Sequence, residues 1–282
     1  MRIGVSGARG KLGKAIMAEL QGRAGGHEWV AISRSPETWS SAVAARKGDF
    51  DQPETLAAAY EGLDRVALIP SADLRPGVRG AQLQTAIDAA VAASVGHIFL
   101  ISAAGTREAA APSIFETYWT AEQRLIKTAP RWTILRMNYY AEAMADEIMM
   151  AQDRGVLAGL GKERVAYVSR DDLAAAAAGA LVTDGHAGAI YNMTGPEALT
   201  GPDVAAIASE ALGKSLSHIV LDEWQLRGGL AQAGLPEPVV QAIVQLKKGF
   251  VQGFFDIVTT DIERLSGRAP KTFRDVLATS RS

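Results

Sequence analysis

One short stretch constrains this 282-residue chain more than any other: Gly7-Ala8-Arg9-Gly10-Lys11-Leu12-Gly13. It lies where Arg2 to Ser6, which reads as a strand, hands over to Lys11 to Gln21. That segment reads as a helix with Leu12, Ala15, Ile16 and Leu20 on one face. A glycine-spaced turn between strand and helix leaves backbone N–H groups and the positive end of a helix facing outward, which suits a phosphate group. Gly7 suits the tight turn off the strand, Gly10 a close approach of phosphate to backbone, and Gly13 close helix–strand packing. A glycine pattern alone is weak; the strand before it and the helix after it supply the context it needs.

The same alternation continues through the first half. Strands are expected at Glu28 to Ser33, Arg65 to Ile69, His97 to Ser102 and Trp132 to Met137. Helices are expected at Pro53 to Tyr60, Leu83 to Ala93 and Phe115 to Lys127. Near-continuous apolar strands separated by helices predict a parallel sheet covered on both faces, an α/β doubly wound Rossmann fold. The second half is less regular. It predicts strands at Arg164 to Ser169, Ala189 to Met193 and Ser217 to Leu221. Its helices are expected at Asp171 to Val182, Pro202 to Leu212, Glu223 to Ala233 and Glu237 to Phe255. Asp171-Asp172 is read as an N-cap, and Asp51 as another ahead of Pro53. The expected division is a Rossmann domain over 1–150 and a smaller, mostly helical region over 151–282. Parts of 164–194 are expected to return to the sheet.

Composition narrows the functional classes. A net charge of −2 without a run of one sign gives no electrostatic footprint for nucleic acid or an anionic membrane. No apolar stretch is long enough to span a bilayer, and the N-terminal apolar run is too short for a signal-peptide core. The chain has no cysteine, which excludes disulfides, thiolate catalysis and cysteine-bound zinc and suits a reducing compartment. A soluble, cytoplasmic protein is expected. The four histidines, His27, His97, His186 and His218, show no metal-ligand spacing, so no metal is expected.

The end of the second predicted strand reads Ser33-Arg34, where an NAD site usually carries an acidic residue for the ribose 2′-hydroxyl. A guanidinium pairs with a 2′-phosphate, so Arg34, with Arg9 and Lys11 nearby, points to NADP(H). The plain alternative for Arg34 is a solvated surface arginine. Asp49 and Phe50 are expected to border the adenine, and Ile69, Pro70 and Ser71 to wall the cofactor groove beyond a strand end.

Beyond these residues the chain resembles the NmrA-like branch of the atypical short-chain dehydrogenase/reductases. Within it the likeness is to the bacterial NAD(P)H:quinone oxidoreductase and triphenylmethane reductase group. The resemblance rests on the Gly7 turn, Arg34, Gly48-Asp49-Phe50-Asp51, Thr133 to Glu142, Ser169 to Ala174 and Thr260 to Pro270. It implies a substrate cleft between the two regions, with Asn138, Tyr139 and Tyr140 near the nicotinamide and Arg170 helping to hold the cofactor. Arg9 departs from the group, which often has Thr there.

Tyr–Lys short-chain dehydrogenases place the Lys four residues after the Tyr. Here Tyr118 is followed at that spacing by Glu122, so the dyad is absent and no catalytic residue is assigned. Tyr118, Tyr139 and Tyr140 are candidate pocket walls, with Trp119 beside them, and Ser102 is a candidate hydrogen-bond donor in the cofactor groove. The reading is an NADPH-dependent reductase of a quinone or related aromatic compound that works by positioning. Alternatives are an NADP(H)-binding redox sensor and an enzyme of a specialised aromatic metabolite, either a reductase or a lyase. The apolar cluster Ile243, Leu246, Phe250, Val251, Phe254 and Phe255 reads as a lid, a homodimer surface or part of the smaller region's core.

Overall fold

The structure is a computed structural model and describes residues 1–23, 25–39, 43–110 and 113–280. The first half runs β1 (Arg2–Ser6), α1 (Lys11–Gln21), β2 (Glu28–Ser33), β3 (Ala44–Lys47), α2 (Leu56–Tyr60), β4 (Arg65–Leu68), α3 (Val78–Ala92), β5 (His97–Ala103), α4 (Ile114–Thr128) and β6 (Trp132–Met137). It continues with α5 (Ala141–Ala151), β7 (Val156–Gly159), β8 (Arg164–Val165), α6 (Arg170–Val182), β9 (Ala189–Met193) and β10 (Leu199–Thr200). The chain ends with α7 (Gly201–Leu212), β11 (Ser217–Val220), α8 (Glu223–Gln232), α9 (Glu237–Val251), α10 (Asp261–Ser266) and α11 (Phe273–Thr279).

Among the described residues, seven strands form one parallel sheet in the order β3-β2-β1-β4-β5-β6-β9. β4 and all but the last residue of β5 are buried, as a sheet covered on both faces requires. One face packs against α1 and α6, the other against α2, α3 and α4. α6 is almost wholly buried, and its alanines let it lie close to both neighbours. A Cβ on Gly179 would stand 1.9 Å from the Leu265 carbonyl oxygen of α10. A third core, off the sheet, gathers Met144 and Ile148 of α5, Val204 of α7, Phe250 of α9 and Phe273 of α11. No helix among the described residues is long and apolar enough to cross a membrane.

Several expectations change. β3 did not register in the sequence because it is an exposed edge strand without apolar alternation. The strand expected over Arg164 to Ser169 keeps only two residues, since its antiparallel partner β10 is equally short. α9 stops at Val251, and Gly253 (φ +77°) turns the chain toward Phe254 and Phe255. Asp171-Asp172 does not cap α6. Ser169 does, accepting from the Asp172 N–H at 3.0 Å, while the Asp172 carboxylate accepts from the Lys271 N–H. Asp51 caps nothing; its carboxylate accepts from Gln82 Nε2 at 2.7 Å.

A buried polar network ties the far edge of the sheet together. His97 Nε2 and Thr133 Oγ1 are 2.8 Å apart, and the Thr133 hydroxyl donates to the His186 carbonyl at 2.6 Å. The His186 ring bonds Thr183 and Tyr191, both at 2.8 Å, and Arg65 reaches the Leu181 carbonyl, the Thr183 carbonyl and Asp184. Burial, helped by the Arg131 and Arg65 guanidinia, lowers the His97 pKa to about 4, and burial lowers that of His186 as well. A histidine held neutral in the fold but free to charge when unfolded stabilises the fold above about pH 6.5. That stability is lost as pH falls toward about 4. The melting temperature should therefore drop across this window, and His97→Gln should flatten the slope, as scanning fluorimetry from pH 4 to 8 will read. An unchanged slope would contradict this account.

Candidate active site

Because the strands are parallel, their carboxyl ends share one edge, and a single cleft of about 1270 Å³ runs along it. That exceeds the roughly 300–1,000 Å³ of an ordinary small-ligand pocket, which leaves room for two ligands side by side.

At one end stands the glycine turn. Gly7 takes a positive φ of +90°, and the Gly7 and Ala8 N–H groups donate to the Ile32 carbonyl at 3.0 and 3.1 Å, pinning β1's exit to β2. Gly10 is the N-cap of α1 in extended backbone and offers no side chain as a cap. The N–H groups of Lys11, Leu12 and Gly13 have no acceptor among the described residues and open on the cleft. Such a helix end attracts an anion. The other two glycines differ in kind. A Cβ on Gly13 would stand 2.3 Å from the Gly7 carbonyl oxygen and 2.7 Å from Ala8 Cα, whereas one on Gly10 would meet only Gly7 O at 3.4 Å. Packing explains Gly13; only the open side explains Gly10.

Arg9, Lys11 and Arg34 line this end with exposed cationic side chains. Ser33 lies beneath Arg34 with its hydroxyl buried and unpartnered. Asp49 and Phe50 form the facing loop, held to β2 by the Gly48 N–H donating to the Ser33 carbonyl at 3.0 Å. Ile69, Pro70 and Ser71 wall the groove after β4, and the Ser71 hydroxyl donates to Gln82 Oε1 at 2.5 Å.

The inner end is more apolar. Phe115 of α4, Ile243 and Leu246 of α9, and Phe255 close it, so α9 turns part of its apolar face onto the cleft and part onto neighbouring cores. Asn138, Tyr139, Tyr140 and Arg170 all line the cleft. The buried Asn138 amide is committed to backbone, donating to the Phe255 carbonyl at 3.0 Å and accepting from the Tyr139 N–H at 2.7 Å. The Tyr139 hydroxyl donates to Glu147 Oε1 at 2.8 Å, and Lys247 Nζ donates to Glu147 Oε2 at 3.0 Å. Burial and the Glu147 carboxylate push the Tyr139 phenol far up. Burial works against the Lys247 ammonium, but Glu147 and Glu163 outweigh it and hold the charge. The Tyr140 hydroxyl donates to Met137 Sδ at 3.2 Å, and the Arg170 guanidinium lies 5.0 Å from the Tyr140 ring centroid.

Two candidates stand differently from expectation. Ser102 is fully buried away from the cleft lining and donates to Glu122 Oε1 at 2.5 Å, so it is not a cleft donor. Trp119 is not part of the lining either. Tyr118 does line the cleft, yet its hydroxyl partner is Arg79 rather than Glu122. Sequence reasoning missed Arg79, Gln82, Glu147 and Lys247. Lys247 alone left a signal, as a charge on the buried stripe Val240, Val244 and Lys247 of α9.

A doubly wound sheet with a ligand-sized cleft at its carboxyl edge and an uncapped helix after a glycine turn defines a dinucleotide-binding protein. The chain belongs to the NAD(P)H-binding family, which it matches over residues 7–184. It is 28% identical over 280 residues to quinone oxidoreductase 2 of Escherichia coli (strain K12), covering 97% of this chain and 96% of that protein. The NADPH complex of the E. coli enzyme superposes with a TM-score of 0.92 at 26% identity, covering 99% of this chain and 100% of that one. The NADP(H) complex of triphenylmethane reductase from Citrobacter sp. gives a TM-score of 0.88 at 26% identity, with 99% and 100% coverage. NAD(P)H azoreductase of Xenophilus azovorans is 25% identical over 245 residues, 86% of this chain and 84% of that protein. These neighbours agree with the NmrA-like resemblance.

Gly13→Ala should destabilise the fold by about 1–3 kcal/mol, because the new methyl overpacks backbone that cannot yield cheaply. Chemical denaturation of the purified variant measures it; a wild-type midpoint would contradict the packing role.

Proposed function

We propose that the protein is an NADPH-dependent reductase of quinones or related conjugated aromatic compounds. The observation that carries this reading is one continuous cleft with a cationic, uncapped helix end at one extremity and an aromatic, apolar chamber at the other. The residues present fit the dinucleotide. The α1 N-terminus takes the diphosphate, and Arg34 with Arg9 and Lys11 takes the 2′-phosphate, which a carboxylate at Arg34 would repel. Asp49 and Phe50 border the adenine. Ile69, Pro70, Ser71, Tyr139, Tyr140 and Arg170 line the way to the nicotinamide, and Asn138 braces it through backbone.

Bound NADPH supplies a hydride. The chain's own task is to stack a flat acceptor beside it and keep water out. Phe115, Leu246 and Phe255 give that chamber its apolar walls, while the Glu147–Lys247 pair and Asn138 fix the strand ends and α9 around it. A sensor that only reports NADP(H) needs no second chamber, and the apolar space under α9 favours the reductase. We assign the dinucleotide domain to residues 1–150 with β9 and α6, and the substrate region to the remainder of 151–282. The third core of α7, α9 and α11, into which α5 and Phe115 of the first region reach, supports a substrate region off the sheet.

Following NADPH absorbance with a panel of quinones and cationic aromatic dyes should reveal turnover above background. Absence of turnover across the panel would overturn the reductase. Arg34→Glu should weaken NADPH binding by about 10- to 100-fold while changing NADH binding little, as loss of a charge-assisted pair implies. Gly10→Val should keep the melting temperature but abolish binding of both dinucleotides, since its side chain fills the diphosphate's place rather than a packed contact. Fluorescence titration reads both variants, and unchanged NADPH affinity in either would contradict the assigned site.

A further inference from the structure

Three tyrosines line the cleft, and their hydrogen bonds separate them. Tyr139 gives its proton to Glu147, and Tyr140 gives its proton to Met137. Tyr118 is the opposite case. Its oxygen lies 3.1 Å from Arg79 Nη1, and a guanidinium only donates, so the direction of that bond is fixed. Tyr118 therefore accepts there, and its own O–H must point elsewhere. No acceptor for it exists among the described residues.

The neighbours of Tyr118 leave that proton free. Glu122, one turn along α4, has both carboxylate oxygens engaged: Oε1 by Ser102 Oγ and by Arg136 Nε at 3.0 Å, Oε2 by Arg136 Nη2 at 2.6 Å. Arg79 reaches Tyr118 from the first turn of α3, across the α3–α4 contact. Arg79 forms no direct ion pair among the described residues: Asp73 feels its charge but makes its hydrogen bonds to Arg75. The cation that is missing at the fourth residue after Tyr118 is thus supplied through space by another helix.

We infer that Tyr118 is the proton donor of the reduction and Arg79 its positioning residue. The assignment rests on the reductase reading above. The hydride brings two electrons and one hydrogen to the conjugated acceptor, and an electron pair collects on an acceptor oxygen. That oxygen takes the Tyr118 proton, forming a new O–H bond as the Tyr118 O–H bond breaks. The electron pair left on the tyrosine oxygen faces the Arg79 N–H donors, and water returns a proton when product leaves. A single donor aimed at a developing oxyanion in a water-poor site is worth about 10²–10³ in rate.

The test compares Tyr118→Phe, Arg79→Met and Arg79→Lys with the wild type, using 1,4-naphthoquinone as acceptor. A wild-type protein that binds NADPH but does not reduce the quinone removes the reductase reading itself. Given wild-type turnover, Tyr118→Phe should lower kcat/KM at least about tenfold with NADPH affinity retained. Arg79→Met should fall similarly and Arg79→Lys should recover part of the loss. The second readout is the absorption of 4-nitrophenolate bound to the NADP⁺ complex. A hydrogen bond to its oxyanion shifts the band to shorter wavelength, and the shift should survive Tyr140→Phe but vanish in Tyr118→Phe. Full kcat/KM in Tyr118→Phe, or a retained shift, overturns the assignment. If Tyr118→Phe fails to fold, the Arg79 pair decides: equal activity of Met and Lys variants overturns it.

Discussion

The fold depends on a backbone constraint at its amino end. A strand must turn sharply into a helix whose first N–H groups are left without protein acceptors. Gly7 makes the turn at positive φ, and the Gly7 and Ala8 N–H groups both donate to the Ile32 carbonyl, so β1, β2 and α1 are fixed as one unit. Gly13 lets α1 sit directly on that turn. The cost is a helix end with no side-chain cap and with Gly10 in the N-cap position. An uncapped end beside three exposed cations is a local electrostatic deficit that a diphosphate satisfies.

The opposite end of the cleft is governed by packing rather than by charge. Side chains that look polar there are mostly committed inward. Asn138 braces backbone, Tyr139 and Lys247 converge on Glu147, and Glu122 closes on Arg136 and Ser102. These bonds join the strand ends to α4, α5 and α9 and hold the aromatic walls in place. The Tyr118 hydroxyl hydrogen, by contrast, is left without such a commitment among the described residues.

What the sequence disclosed follows the range of the interactions. The glycine turn, the buried strands β5 and β6 and the alanine-rich α6 are local patterns, and they were legible. Edge strand β3 was not, because exposed strands need no apolar alternation. Ser169 was passed over as a cap because two aspartates follow it, and only the bond to the Asp172 N–H decides between them. Ser102 looked like a cleft donor because it ends the expected strand, but Ile101 and Ala103 on either side of it line the cleft while its own side chain is fully buried on its bond to Glu122. The Tyr118–Arg79 contact joins residues 39 positions apart on different helices, so no spacing rule exposes it. Lys247 was missed too, although a lone charge on an apolar stripe is the mark of a buried ion pair.

The central claim is that the unpaired amides of Lys11, Leu12 and Gly13 receive a dinucleotide diphosphate. Amide-resolved NMR of the labelled protein, titrated with NADPH, observes those three N–H groups directly. The account predicts large downfield shifts at these three positions that saturate at one NADPH per chain. Saturable NADPH binding that leaves all three amides unmoved would contradict it.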